Sequence, residues 1–187
     1  MAFSFIFRIV NGVKGGVSAG LKGVADIGSS IVDVVKNLTV TTLKETEEFV
    51  VEGLEVPASV VKGAFAGVAE IGGSVIKAVK GIVHGAVRGV VESGGKQDEA
   101  VQGSVAQALH SAKELGLDVG ETAVEAVKGS IGAVKQIGGD AVGATKNAVV
   151  AALNAARDIG DETLLSVKEA LESGIDGAKS IIDEVEK

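Results

Sequence analysis

Residues 115–160, LGLDVGETAVEAVKGSIGAVKQIGGDAVGATKNAVVAALNAARDIG, decide how this 187-residue chain is built. Three apolar-glycine pairs punctuate the stretch, Leu115-Gly116, Ile137-Gly138 and Ile159-Gly160, each 22 residues after the last. Between the pairs, apolar residues recur at steps of three and four, which keeps them on one face of an α-helix. A half-buried strand would need strict alternation instead.

Outward from this stretch the same spacing persists. Ile71-Gly72 and Ile27-Gly28 precede it at intervals of 44, and positions 22 apart between and beyond them hold Phe5, Phe49, Ser93 and Ile181. Only Ser93 is not large and apolar. A second column reads Leu21, Leu43, Phe65, Val87, Leu109, Ile131, Leu153 and Ile175, and a third reads Val17, Thr39, Val61, Val83, Val105, Val127, Val149 and Leu171. The residue before each pair is usually acidic: Asp26, Glu48, Glu70, Glu92, Glu114 and Asp158, with Gln136 and Ser180 departing. Twenty-two residues make six helical turns of about 3.67 residues, close to a straight helix. The expected fold is all-α: an elongated array of 22-residue amphipathic helical repeats over residues 5–187.

Glycine has two candidate uses in such an array. Ile-Gly-Gly-Ser at 71–74, Ile-Gly-Gly-Asp at 137–140 and Ile-Gly-Asp-Glu at 159–162 read as a glycine stop followed by an N-cap, punctuating helices of about 18–20 residues. Gly12, Gly16 and Gly20, then Gly81, Gly85 and Gly89, and Gly139 with Gly143, sit four apart and read as helix-packing stripes. Packing is expected to dominate over residues 10–92. Pro57 should end or kink a helix near Leu54 and Glu55. Residues 93–99, SGGKQDE, break the apolar columns and are expected to be the turn of a long helical hairpin, or of a string of helices folded back near residue 95.

The charge pattern changes at the same place. Residues 1–92 hold nine basic and nine acidic side chains, and residues 93–187 hold nine and sixteen, which is the whole net charge of −7. The expected organisation is therefore a neutral, glycine-rich half at 1–92, a linker at 93–99 and an acidic half at 100–187. An acidic chain of this kind is not expected to bind nucleic acid, which needs clustered Lys and Arg. The absence of cysteine from all 187 positions excludes disulfides and thiolate metal sites. Five Phe and no Trp or Tyr leave Val, Ala, Ile and Leu to form the apolar surface. Such a surface is smooth and shallow, unlike a pocket for a small-molecule substrate. The apolar start, MAFSFIFRIV, lacks a basic leader, and Arg8 and Lys14 interrupt it, so a signal peptide is not expected. No uncharged run approaches the roughly 18–20 residues of a membrane span.

These repeats resemble the 11- and 22-residue amphipathic repeat proteins, namely exchangeable apolipoproteins, synucleins and perilipin-type droplet coats. Residues 81–92, GIVHGAVRGVVE, are similar to the Gly-Val-rich synuclein repeat, and Val61-Lys62-Gly63, Val79-Lys80-Gly81 and Val127-Lys128-Gly129 to its Lys-Gly junctions. The resemblance implies reversible binding to lipid surfaces, with helix formed or reorganised on binding.

Candidate chemistry is sparse. His84 and His110 fall in different columns, and a two-histidine metal site would need a carboxylate brought to both. Asp161, Glu162, Glu169, Glu172 and Asp176 at helical spacing read as a solvated face. Gly94-Gly95-Lys96 lacks a preceding strand and is no phosphate loop. Asn37-Leu38-Thr39 matches a glycosylation sequon but falls mid-helix. No catalytic residue, metal or cofactor is expected. The expected interaction stripe, facing lipid or a partner, is Phe3, Phe5, Phe7, Leu21, Ile27, Leu43, Phe49, Phe65, Ile71, Val87, Leu109, Leu115, Ile131, Ile137, Leu153, Ile159, Ile175 and Ile181. Phe3, Phe5, Ile6, Phe7 and Ile9 form either an insertion wedge or docking anchor, or the cap of a helical core. Lys14, Lys22, Lys36, Lys62, Lys77, Lys80 and Arg88 could reach phosphates beside the stripe.

Two functions follow as expectations. The leading one is a cytoplasmic peripheral coat or scaffold on membranes, vesicles or lipid bodies, a secreted form remaining open. The alternative is a structural protein that self-assembles into a homo-oligomer or polymer, a filament, sheath or shell, through its glycine stripes. A desiccation-protective role fits less well with a mean hydropathy of +0.37, and an enzyme fits least.

Overall fold

The computed structural model describes residues 2–44 and 53–187, with side chains from Phe5 onward. In it, the 22-residue unit is one helix and one tight turn. The pattern is cleanest in the middle: α4 (Val75–Glu92), α5 (Gln97–Glu114), α6 (Val119–Gln136) and α7 (Ala141–Ile159) begin 22 residues apart. An 18-residue helix is about 27 Å long. Before them come α1 (Ala2–Leu21), α2 (Ile27–Lys44) and α3 (Glu55–Glu70), and after them α8 (Asp161–Gly174) and α9 (Ala178–Val185).

The junctions explain the period. At the end of α5, Gly116 N–H donates to Lys113 O at 3.2 Å and Leu117 N–H donates to Ala112 O at 2.8 Å, with Gly116 at φ +71°. This paired closure satisfies the last carbonyls and needs a left-handed residue, which glycine adopts without steric cost. The same two bonds close the helices at Gly72, Gly94 and Gly138. Residues 93–99 therefore contain a regular junction: Gly94 and Gly95 N–H donate to Val91 and Val90 O at 3.0 and 2.9 Å. Helix starts vary more. Asp118 and Asp140 cap α6 and α7, each accepting a backbone N–H at 2.9 Å, whereas Ser74 holds the N-cap position of α4 without a side-chain cap bond.

Pro57 neither ends nor kinks a helix. It is the third residue of α3, in the first turn, where a missing N–H removes no intrahelical bond. The helix starts just before it, at Glu55.

Successive helices run antiparallel, as shown by Gly16 beside Leu38 and Gly20 beside Val34. Helices two apart run parallel, since the Val10 and Lys14 carbonyls lie under Gly63 and Gly67 in the same order. The odd-numbered helices thus form one layer and the even-numbered helices the other. Among the described residues, every helix packs only on those one or two places along the chain. One apolar core runs from Ile9 to Ile182 between the layers. The expected hairpin with a fold-back near residue 95 is replaced by a two-layered stack in which the chain reverses at each unit.

The first pair of helices is out of phase with the rest. Ile27-Gly28 lies in the first turn of α2, and the α1–α2 turn comes earlier, at Gly23 with φ +82°. The packing register records the offset. Carbonyls of Val10 and Val32 face glycines 53 residues later, Gly63 and Gly85, but those of Leu54 and Lys80 face glycines 49 later, Gly103 and Gly129. The slip is four residues, close to one helical turn, so each apolar column keeps its face while moving along its helix. That is why the sequence columns stay intact across a shifted boundary.

Candidate interaction surface

The apolar columns meet other helices of the same chain. Leu21, Leu43, Phe65, Val87, Leu109, Leu153 and Ile175 are buried. Phe5, Ile27, Ile71, Ile131, Ile137, Ile159 and Ile181 are half-buried, while Phe7 and Leu115 are exposed. Phe49, Glu48 and the Phe3 side chain lie outside the described residues. The expectation that this stripe faces lipid or a partner is thus corrected for its second column. Two-layer stacking turns that column inward, and the surface it coats is the neighbouring helix.

The glycines divide in the same way. Gly81, Gly85 and Gly89 are buried against α2, and a Cβ placed on Gly85 would stand 2.6 Å from Val32 O. Gly16 and Gly20 face α2 from α1. Gly12 faces open space, Gly139 lies in a turn and Gly143 receives the Asp140 cap, so these three do not pack helices together. Sequence reasoning missed Gly63, Gly67, Gly103 and Gly129. All four are buried, and each meets a backbone carbonyl of the helix two places earlier. For Gly63, Gly129 and Gly67 the signal was a pair of 22-residue columns, Gly63, Gly85, Gln107, Gly129 and Ala151 beside Gly67, Gly89, Ser111, Ala133 and Ala155; Gly103 instead follows Gly81 by 22. The second of these columns is small and buried at all five positions from Gly67 to Ala155.

The N-terminal aromatic cluster splits across α1. Ile9 is fully buried, Phe5 and Ile6 are half-buried, and Phe7 is 64% exposed. Phe7, Asn11, Gly15 and Ala19 form a continuous exposed line along the helix. Allowing for the four-residue slip, Gly15 and Ala19 occupy the places that Gly63 and Gly67 occupy in α3. A Cβ added to Gly15 meets nothing within 4 Å. This line is the smooth face that later helices turn toward a neighbour, presented here to solvent.

Charge is graded along the stack. The first 25 residues contain Arg8, Lys14 and Lys22 and no carboxylate side chain, whereas residues 161–187 contain eight acidic and three basic side chains. Glu169, Glu172 and Asp176 are exposed, as are Asp161 and Glu162. Of the lysines and arginine expected beside the stripe, three are held by this chain's own carboxylates: Lys14 by Glu70 at 3.8 Å, Lys36 by Glu92 at 3.7 Å and Arg88 by Glu92 at 3.3 Å. Lys22, Lys77 and Lys80 are exposed, and Lys62 lines a groove of about 530 Å³ with Ile6, Val10 and Glu55.

His84 sits half-buried on α4 against α6, with its Nε2 2.7 Å from Gln136 Oε1. Burial of the ring lowers its pKa below the usual imidazole value, the Gln136 bond opposes that, and Arg88 and Lys80 lower it further. Among the described residues, no group of three or more His, Asp or Glu side chains could hold a metal ion. No helix among them is long and apolar enough to cross a membrane.

The fold itself defines a helical repeat protein. No family model and no curated protein matches the sequence. A crystal structure of a de novo designed helical repeat protein is similar to it, with a TM-score of 0.52 and 19% sequence identity over 87% of this chain and 94% of that one. At that identity the likeness concerns the fold alone. The resemblance to lipid-surface proteins rests on repeat length and composition.

Proposed function

We propose that this chain is a structural protein that assembles with copies of itself by continuing its own mode of helix stacking. The observation that carries the reading is the exposed line Phe7, Asn11, Gly15 and Ala19 on α1. At Gly15 and Ala19 its shape is that of the small-residue faces by which other helices of the chain pack. Packing confined to near neighbours supports it too, because in such a stack each interface is a local unit that can recur. Electron microscopy and sedimentation of lipid-free protein test the proposal. Concentration-dependent ordered assemblies are expected; a monomer at every concentration would sink it.

A lipid-surface coat is the second reading, favoured by one observation: exposed Phe7 lies beside Arg8 in a segment without carboxylates. The buried columns weigh against it, since Ile9, Val13 and Val17 would have to leave the core to reach lipid. Flotation with neutral and anionic vesicles discriminates. Co-flotation of protein that does not self-associate would put this reading first.

A further inference from the structure

We propose that the exposed line on α1 receives the acidic C-terminal helices of a second copy, so that stacks join head to tail; this rests on the self-assembly reading. Three observations converge on that occupant. The first is continuity with packing inside the chain. In α3 and α4, small residues at this place lie on the backbone of the helix two places earlier, with Val10 O and Val32 O within 2.6 Å of where a Cβ would stand on Gly63 and Gly85. Gly15 and Ala19 offer the same shallow groove, which fits a helix backbone better than acyl chains, because lipid insertion draws on bulky apolar side chains.

The second observation is charge. Exposed Arg8 and Lys22 flank the line, and no carboxylate lies within the first 25 residues. The exposed Glu169, Glu172 and Asp176 near the other end supply the opposite sign. Complementary patches steer association and fix its register. The third is apolar: Leu165 on α8 is 60% exposed beside these carboxylates, a counterpart to Phe7 on α1. Two different faces that fit each other make a heterologous contact, which propagates instead of closing as a two-fold dimer does.

The test uses the full chain with one face blocked at a time. Gly15→Trp fills the line on α1, where open space leaves the fold undisturbed, and Glu169→Lys with Glu172→Lys reverses the acidic patch. Circular dichroism and melting confirm that both variants fold. Wild-type protein should form chains at low salt that shorten at high salt. Each variant alone should associate at least tenfold more weakly, and an equimolar mixture should give dimers and nothing longer, since one intact face remains on each. If the acidic-patch variant dimerises by itself, the contact is a two-fold one through α1 and the head-to-tail assignment is overturned. Polymers unaffected by either variant overturn the assignment but leave self-assembly standing. A wild type that stays monomeric overturns both.

Discussion

The helices on either side of residue 95 share a repeat and differ in how their seams are filled. In α3 and α4 the seam toward the earlier helix is glycine, at 63, 67, 81, 85 and 89, and carbonyl groups lie directly beneath it. In α6 and α7 the corresponding column holds Ala133, Ala151 and Ala155, with Gly129 the exception. The first half sets backbone against backbone at these sites and α7 places methyl groups there, while Gly129 on α6 meets Lys80 O as closely as Gly63 meets Val10 O. Helix starts do not follow this division: Asp118 and Asp140 cap α6 and α7, and Asp26 accepts from Ser29 N–H at the start of α2, whereas α4, α5 and α8 start without a side-chain cap bond. Two solutions to the same packing problem thus stand side by side, joined by identical glycine junctions.

Substitutions can break this contrast. Gly85→Ala should cause the largest loss, about 1–3 kcal/mol, because its methyl group would press on Val32 O and force α2 from α4. Thermal melting measures it, and an unchanged melting temperature would refute the close-seam account. Asp118→Ala removes the bond to Glu121 N–H and should cost about 1 kcal/mol; Ser74→Ala, with no such bond to lose, should cost less. Gly15→Ala reverses the sign. On an exposed helix face it should stabilise by about 0.5–1 kcal/mol, so denaturant midpoints of Gly15→Ala and Gly85→Ala should move in opposite directions.

The smallest effect concerns pH. Burial lowers the His84 pKa in the folded chain. The unfolded chain therefore binds its proton first, and the contribution of His84 is fully present above the unfolded histidine pKa of about 6.5. It diminishes as pH falls from there toward the folded pKa. Comparing His84→Gln with the parent in melts on either side of that window isolates it; identical pH slopes would show that the ring contributes nothing.

Much of this architecture is legible in the sequence, for identifiable reasons. Apolar spacing and the repeated Ile-Gly pairs mark helices and junctions because a left-handed residue is needed at nearly the same place in each unit. Ser93 hid one junction: its side chain breaks the apolar column, yet its backbone N–H still donates to Gly89 O at 3.1 Å, and Gly94 makes the turn. Side-chain identity there says little about backbone closure. Which helices meet is less legible. A column of Leu and Ile announces burial but not whether lipid, another molecule or a neighbouring helix covers it. Glycine spacing likewise misled at Gly139 and Gly143, whose roles are set by a turn and by the Asp140 cap. The proposed surface on α1 was visible only in part, because Gly15 becomes notable once the four-residue slip aligns it with Gly63.

The alternation of the two layers has a consequence for how such a chain can change in length. Removing one 22-residue unit would move every later helix into the other layer, yet odd and even helices meet the helix two places earlier in one register, Gly103 on Leu54 O and Gly129 on Lys80 O. A single unit between α4 and α7 can therefore be removed or duplicated with each neighbour relation kept. A unit moved across the four-residue slip near the start of the stack would instead arrive one helical turn out of place.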